Sequence, residues 1–333
     1  MSLRIRNIAV IGNGGWGTTL AIHLARKGYE IRLWGAFPED IREIKHTRFN
    51  AKFLPGIKIP HQVILEENLQ EAIVNAQVIV LATPSQYISS VLKQIKKCDL
   101  SGKIFLSVIK GIDPLTLRRM SEVIYRELGR VRLAVLSGPN IAGEVARGIP
   151  STAVIASQDR NIAGELQKLF HSPTFRIYTN SDVVGVEMGG SLKNVIAIAC
   201  GVCDGLGFGT NTKAALLTRG LAEIARLGIA LGARRETFAG LSGLGDLVTT
   251  CYNQQSRNRS VGEELGKGKR IRAIVSSMNT VAEGVPTVKA AYQLAKKYKV
   301  SVPVTTEVFK IIYKHKNPKT AVKDLMTRKI KPE

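Results

Sequence analysis

The chain has 333 residues, 48 Lys and Arg against 26 Asp and Glu for a formal charge of +22, and a hydrophobic fraction of 44%. That length corresponds to about two domains with a sizeable core, and the apolar content excludes intrinsic disorder, which pairs high net charge with low hydrophobicity. The charge leaves three partners open, a nucleic acid, a membrane surface or a small anion, and composition does not choose among them.

Residues 1–12 carry Arg4 and Arg6 ahead of an apolar stretch that soon runs into glycines. It is too brief for a secretory signal and reads as the first β-strand of a cytoplasmic protein. Further β-branched runs follow at 31–34, 78–82, 104–109, 133–136 and 153–156, each separated from the next by a helical pattern. Near-continuous apolar strands alternating with helices imply a parallel sheet covered on both faces. Residues 1–190 are therefore expected to form a doubly wound, Rossmann-type α/β domain. From Ser191 the chain is rich in Ala, Leu, Glu and Arg, with helical spacing of apolar residues at 214–231 and 288–295. Residues 191–333 are expected to be an all-α second domain. The charge is +8 over 1–190 (24 basic, 16 acidic) and +14 over 191–333 (24 basic, 10 acidic), with a Lys-rich end at 310–331.

Apolar runs such as 194–202 fall short of the ~20 residues needed to span a bilayer, so no transmembrane helix or membrane anchor is expected. Four cysteines, Cys98, Cys200, Cys203 and Cys251, do not make a disulfide scaffold. Cys200-x-x-Cys203 lies in an apolar helical segment and reads as buried thiols.

Directly after the first strand stands Gly12-Asn13-Gly14-Gly15-Trp16-Gly17, with a helix expected over 18–27 and Gly28 closing it. In G-x-G-x-x-G the first glycine makes the tight turn, the second admits a pyrophosphate, and the third packs helix on strand. The helix N-terminus then offers free N–H groups and a positive dipole end to the phosphates. The next strand ends in Leu33-Trp34-Gly35-Ala36 where an NAD site would carry Asp or Glu. NADP(H) or NAD(H) is therefore the expected cofactor, with NADPH slightly favoured.

Four more segments carry the residue types of a site. Lys110 follows a strand in Val-Ile-Lys-Gly, at the sheet end where ligands of such folds bind. Leu136-Ser137-Gly138-Pro139-Asn140-Ile141-Ala142 repeats that position, with Asn140 also readable as a helix cap. Lys193, in Gly-Gly-Ser-Leu-Lys-Asn-Val, sits among small apolar residues that would lower its pKa toward the range of a general acid–base group, or else it snorkels from a core helix. Finally, Gly243-Leu244-Gly245-Asp246-Leu247 is followed by Gln255-Ser256-Arg257-Asn258-Arg259 and a helix start. An Arg and an Asn at a helix N-terminus suit a phosphate, while the plain reading is an N-cap with solvated arginines and a capping Asp246.

As a set, GNGGWGTTLA (12–21), VIKG (108–111), LSGPN (136–140), GGSLKNVIAIA (189–199), GLGDL (243–247), QSRNR (255–259) and AEG (282–284) resemble the NAD(P)-dependent glycerol-3-phosphate dehydrogenases, in that family's order over residues 5–315. The resemblance implies reversible reduction of dihydroxyacetone phosphate to sn-glycerol 3-phosphate for phospholipid synthesis, without a metal or nucleic acid, by a cytoplasmic homodimer. It makes Lys193 the acid–base group, with Lys110 meeting cofactor and substrate and Asp246 beside the substrate. Gly138 and Asn140 would line the substrate pocket, and Ser256, Arg257 and Asn258 would hold its phosphate. Gly15, Trp16, Ala142, Arg257, Val281 and Glu283 would meet the cofactor. The family more often carries Ser or Ala at position 15, Ser or Thr at 140, and His or Arg at 36. A related two-domain β-hydroxyacid dehydrogenase and a non-catalytic NADP-sensing or nucleic-acid-binding module are the competing readings. The aromatic fraction of 6% gives little stacking surface for the last.

Overall fold

The computed structural model describes residues 5–278 and 281–330, so Lys331 at the end of the basic tail lies outside the described residues. The chain divides into two compact units, one of residues 1–109 and 120–183, the other of Lys110–Arg119 and Val184–Glu333.

Among the described residues the first unit is built on ten strands: β1 Asn7–Ile11, β2 Glu30–Trp34, β3 Phe49–Asn50, β4 Leu54–Lys58, β5 Val63–Glu66, β6 Val78–Leu81, β7 Ile104–Ser107, β8 Arg132–Ser137, β9 Ser151–Ala156 and β10 Phe175–Asn180. Eight form one sheet in the order β10-β9-β8-β7-β6-β1-β2-β5, and β3 pairs with β4 in a separate hairpin. Neighbouring residues of the central strands feed different cores. Ile8, Val10, Val78, Val80 and Leu106 belong to one buried cluster and Ala9, Ile11, Ile79, Leu81 and Phe105 to another, as a sheet covered on both faces requires.

Every expected strand is present, with two departures from the expected pattern. The sheet is not wholly parallel, because β8 and β9 run antiparallel. The helix between them, Ala142–Ala146, has five residues. At ~1.5 Å per residue it is too short to carry the chain back along a six-residue strand of roughly 20 Å. The edge strands β5 and β10 and the hairpin were not legible as apolar runs. Strand β10 alternates, with Phe175 and Ile177 buried and Arg176 and Tyr178 exposed, so only half of it carries the hydrophobic signal.

The second unit is helical among its described residues. Its axis is helix Val183–Gly205, in which every residue from Gly185 to Cys203 is buried. The change of pattern seen at Ser191 thus falls inside a helix that starts at Val183. This 23-residue helix is also, by length and composition, long and apolar enough to cross a bilayer, contrary to the expectation from its apolar run, although 89% of its most apolar window is buried in the protein. Cys200 and Cys203 are free and buried on it, and burial pushes the Cys203 thiol up to about 12, far from a redox-active thiolate.

Segment Lys110–Arg119 joins the second unit through three ties to that helix. Ser191 Oγ donates to the Gly111 carbonyl at 3.1 Å, Asn194 Nδ2 donates to the Lys110 carbonyl at 3.3 Å, and Arg119 pairs with Glu187 at 2.6 Å. These ties fix the backbone of Lys110 relative to the helix that carries Lys193.

Candidate active site

In the first unit, Gly12 has φ of +125°, and a Cβ there would stand 2.7 Å from the carbonyl group of Ala82 beyond β6. A Cβ at Gly17 would lie 2.0 Å from the Gly12 carbonyl oxygen, so the helix meets the strand end only without a side chain. Gly14 differs, since nothing lies within 4 Å of its Cβ position. It leaves open space beside helix Gly15–Arg26, whose N-terminus has neither a side-chain cap nor an acidic residue in its first turn. Its N–H groups are left for an anion. This cradle fits the three demands of a dinucleotide pyrophosphate.

Other expected cofactor residues gather there. The Ala142 methyl is 3.7 Å from the Gly15 Cβ position, and Thr19 Oγ1 donates to the Ala142 carbonyl at 3.0 Å. Trp16 stands edge-on to Phe175 with ring centroids 6.2 Å apart, and its Nε1 is buried without a hydrogen-bond partner among the described residues. Gly138 has φ of +146° at the end of β8. Asn140 is not a helix cap: its Nδ2 donates to the Thr152 carbonyl at 2.8 Å, and the cap position is Ile141.

In the second unit, Lys193 is 6% exposed and Asp246 1%. The Lys193 ammonium donates to Asp246 Oδ1 and, at 2.7 Å, to Thr250 Oγ1. Lys110 Nζ donates to the other carboxylate oxygen, Asp246 Oδ2, at 2.6 Å. Two cations therefore share one anion in a buried setting. Burial, reinforced by the Lys110 charge and opposed by Asp246, lowers the Lys193 pKa to about 8. Desolvation disfavours the ammonium more than one shared carboxylate restores it.

Backbone packing delivers this geometry. A Cβ on Gly189, one turn before Lys193, would stand 2.4 Å from the Ser242 carbonyl oxygen. The bare glycine lets the π-helical turn Leu241–Gly245 press onto the helix and begin helix Asp246–Tyr252 beside Lys193. Thr250 lies one turn beyond Asp246 and donates its hydroxyl to the Asp246 carbonyl at 2.7 Å, which leaves its lone pairs toward Lys193.

A second set of bonds runs from the same helix. Asn258 Nδ2 donates to Asn194 Oδ1 at 2.9 Å, and Asn258 Oδ1 accepts from Gly284 N–H at 2.9 Å, next to Glu283. Ser256 caps helix Arg257–Gly266, its Oγ accepting from Arg259 N–H at 3.3 Å. Arg257 is exposed in the first turn, whereas Arg259 pairs with Asp204 at 2.6 Å. Helices Val183–Gly205 and Arg257–Gly266 touch backbone to backbone through Gly201, Gly205, Gly262 and Gly266. A Cβ at Gly201 would be 1.9 Å from the Arg259 carbonyl oxygen, and one at Gly262 would be 2.0 Å from that of Ile198.

Two family models match the chain: the N-terminus of NAD-dependent glycerol-3-phosphate dehydrogenase over residues 7–163, and its C-terminus over residues 182–323. The chain belongs to the NAD-dependent glycerol-3-phosphate dehydrogenase family. Among relatives, glycerol-3-phosphate dehydrogenase [NAD(P)+] of Geobacter metallireducens is 49% identical over 329 residues, 98% of either chain. That of Prosthecochloris aestuarii is 46% identical over 98% of this chain and 99% of its own. The solved structure of a glycerol-3-phosphate dehydrogenase from Coxiella burnetii superposes with a TM-score of 0.94 at 36% identity, covering 97% of this chain and 99% of that one. Membership makes the chain an NAD(P)-binding oxidoreductase and favours glycerol phosphate chemistry over that of a different β-hydroxy acid.

Within the units, the structure brings together Gly12, Gly14, Gly15, Trp16, Gly17 and Ala142 in one, and in the other joins Lys110, Lys193 and Asp246 directly and Asn258 to the same helix through Asn194, with Ser256 and Arg257 preceding Asn258 in sequence. Sequence reasoning assigned no role to Thr250 or Asn194. Thr250 sits at i+4 from Asp246, a spacing that puts both on one helix face, and that was the available signal. It also left Gly201-x-x-x-Gly205 and Gly262-x-x-x-Gly266 unread as a helix crossing.

Proposed function

We propose that this chain reduces dihydroxyacetone phosphate to sn-glycerol 3-phosphate with NAD(P)H, reversibly. One observation carries the reading: Lys193 and Lys110 both donate to the buried Asp246 carboxylate. A ketone gaining hydride becomes an alkoxide, which needs positive charge and then a proton. The Gly12–Gly17 turn and the helix N-terminus after it would hold NAD(P)H, which when bound would supply the hydride. Lys193 donates the proton to the developing alkoxide oxygen, and Lys110 polarises the carbonyl. Asp246 and Thr250 hold the Lys193 ammonium in place, and Asp246 keeps two adjacent cations tolerable before substrate arrives.

The substrate phosphate undergoes no chemistry. Gripped by Arg257 and the N-terminus of helix Arg257–Gly266, it orients C2, so remote binding energy lowers the barrier. Ser256 and Asn258 act there with side-chain oxygens already engaged, Ser256 in the cap and Asn258 with Gly284. Their share is to hold that N-terminus in position. The same reading makes the enzyme a cytoplasmic homodimer that supplies glycerophospholipid synthesis, with Gly138 and Asn140 lining the substrate pocket and Val281 and Glu283 meeting the cofactor.

Arg257→Ala tests the phosphate site. The apparent KM for dihydroxyacetone phosphate should rise roughly 10- to 100-fold, the range for losing one charge-assisted contact, with a smaller effect on cofactor binding. An unchanged KM would count against the site.

A further inference from the structure

We propose that Lys52, held against Phe37 and Phe53 and balanced by Asp40, receives the 2′-phosphate of NADPH. The proposal rests on the cofactor reading above and names the residue that sets its selectivity.

In a fold of this kind the adenosine ribose lies beyond the end of the second strand, where a carboxylate takes the 2′-hydroxyl or a cation takes the 2′-phosphate. Here β2 ends at Trp34, and Gly35 and Ala36 carry no charge. The Asn13 side chain lies against Gly35, whose Cβ position is 2.6 Å from Asn13 Cγ. A cation must therefore reach this edge from another segment.

Lys52 does so. Its Nζ lies 5.7 Å from the ring centroid of Phe37, the second residue after Gly35, and 5.2 Å from that of Phe53. The turn that carries it is bonded to the glycine turn. Asn50 Nδ2 donates to the Asn13 carbonyl at 2.7 Å and to Thr18 Oγ1 at 2.9 Å, and Phe53 N–H donates to Asn50 Oδ1 at 3.2 Å. The Phe53 carbonyl oxygen is 2.6 Å from the Gly15 Cβ position. Lys52 thus stands between the pyrophosphate cradle and the end of β2, with its side chain 47% exposed.

Three other cations around this strand are committed. Arg32 pairs with Glu66, Arg42 with Glu67 at 3.6 Å, and Arg48 donates to the carbonyls of Pro60 and Val63. Lys45 and His46 lie in the last turn of helix Pro38–Thr47, at the opposite end from Asp40. Asp40 opposes the assignment, pairing with Lys52 at 3.1 Å. It neutralises the lysine until a dianionic phosphate competes for it, and it repels that phosphate. The two residues therefore pull selectivity in opposite directions.

Calorimetric titration of NADPH and NADH, without substrate, into the wild type, Lys52→Ala and Asp40→Asn tests this directly. Lys52→Ala should weaken NADPH binding about 10-fold, as for loss of one exposed charge-assisted contact, and leave NADH within twofold. Asp40→Asn should tighten NADPH binding several-fold relative to NADH. Equal losses for both cofactors, or unchanged NADPH affinity in Lys52→Ala, would overturn the assignment. A wild type that prefers NADH, with the ratio still shifting about 10-fold in Lys52→Ala, would sink the NADPH preference and support Lys52.

Discussion

Lys193→Met should retain NAD(P)H binding while losing at least ~10²-fold in turnover of dihydroxyacetone phosphate, the lower range for a general acid–base group. Methionine keeps the chain length and an apolar fit in a site that is 6% exposed, so the substitution removes the proton and little packing. Asp246 keeps Lys110 as its partner, which makes the loss a matter of chemistry more than of folding. The pH dependence follows from the Lys193 pKa of about 8, lowered mainly by burial. Ketone reduction consumes a proton, so the ammonium is the active form. Its rate should be level below about pH 8 and fall tenfold per unit above it. Glycerol phosphate oxidation needs the free amine and should rise with pH through the same inflection. Stopped-flow rates of the two directions in wild type and variant would show it. Near-normal turnover in Lys193→Met, or an inflection that survives the substitution, would remove Lys193 from the role.

The second large effect is expected from the smallest possible change. Gly201→Ala places a methyl 1.9 Å from the Arg259 carbonyl oxygen, in backbone that has no rotamer to escape through. An alanine is favoured over glycine inside a helix by about 1 kcal/mol, so the clash must outweigh that gain. Overpacking of this kind costs ~1–3 kcal/mol or more, and the helix that must move carries Ser256 as its cap and Arg257 and Asn258 in its first turn. The expected result is a lower melting temperature together with a raised KM for dihydroxyacetone phosphate. Gly164→Ala is the matched control. It lies inside helix Arg160–Phe170 with nothing within 4 Å of its Cβ position, so the same exchange should stabilise by about 1 kcal/mol. Thermal unfolding of the pair reads the difference in sign, and a stabilised Gly201→Ala would refute the close crossing.

These two positions also mark how far the sequence could be read. Lys193 was legible because a lone lysine in an apolar helix is conspicuous, and Lys110 because it ends a strand. The glycine turn announced itself through spacing alone. Gly201 was not legible, since a helical glycine shows its purpose only when the carbonyl it faces is known, and that carbonyl lies on another helix. Thr250 was hidden for a similar reason, its role depending on Asp246 being a partner of Lys193 and not a cap. The edge strands β5 and β10 escaped because half of each faces solvent, and the antiparallel β9 because direction depends on the length of its connection. Segment Lys110–Arg119 reads as the continuation of a sheet strand, yet Ser191, Asn194 and Glu187 tie it to the helical unit.

On the proposed function the two lysines and Asp246 serve a phosphorylated ketone. Following NADPH oxidation at its absorbance band with dihydroxyacetone phosphate and with unphosphorylated dihydroxyacetone tests it most directly. A site that spends binding energy on the phosphate should favour the phosphorylated ketone by ~10³-fold or more in kcat/KM. Comparable rates with both ketones, or turnover of neither, would contradict it.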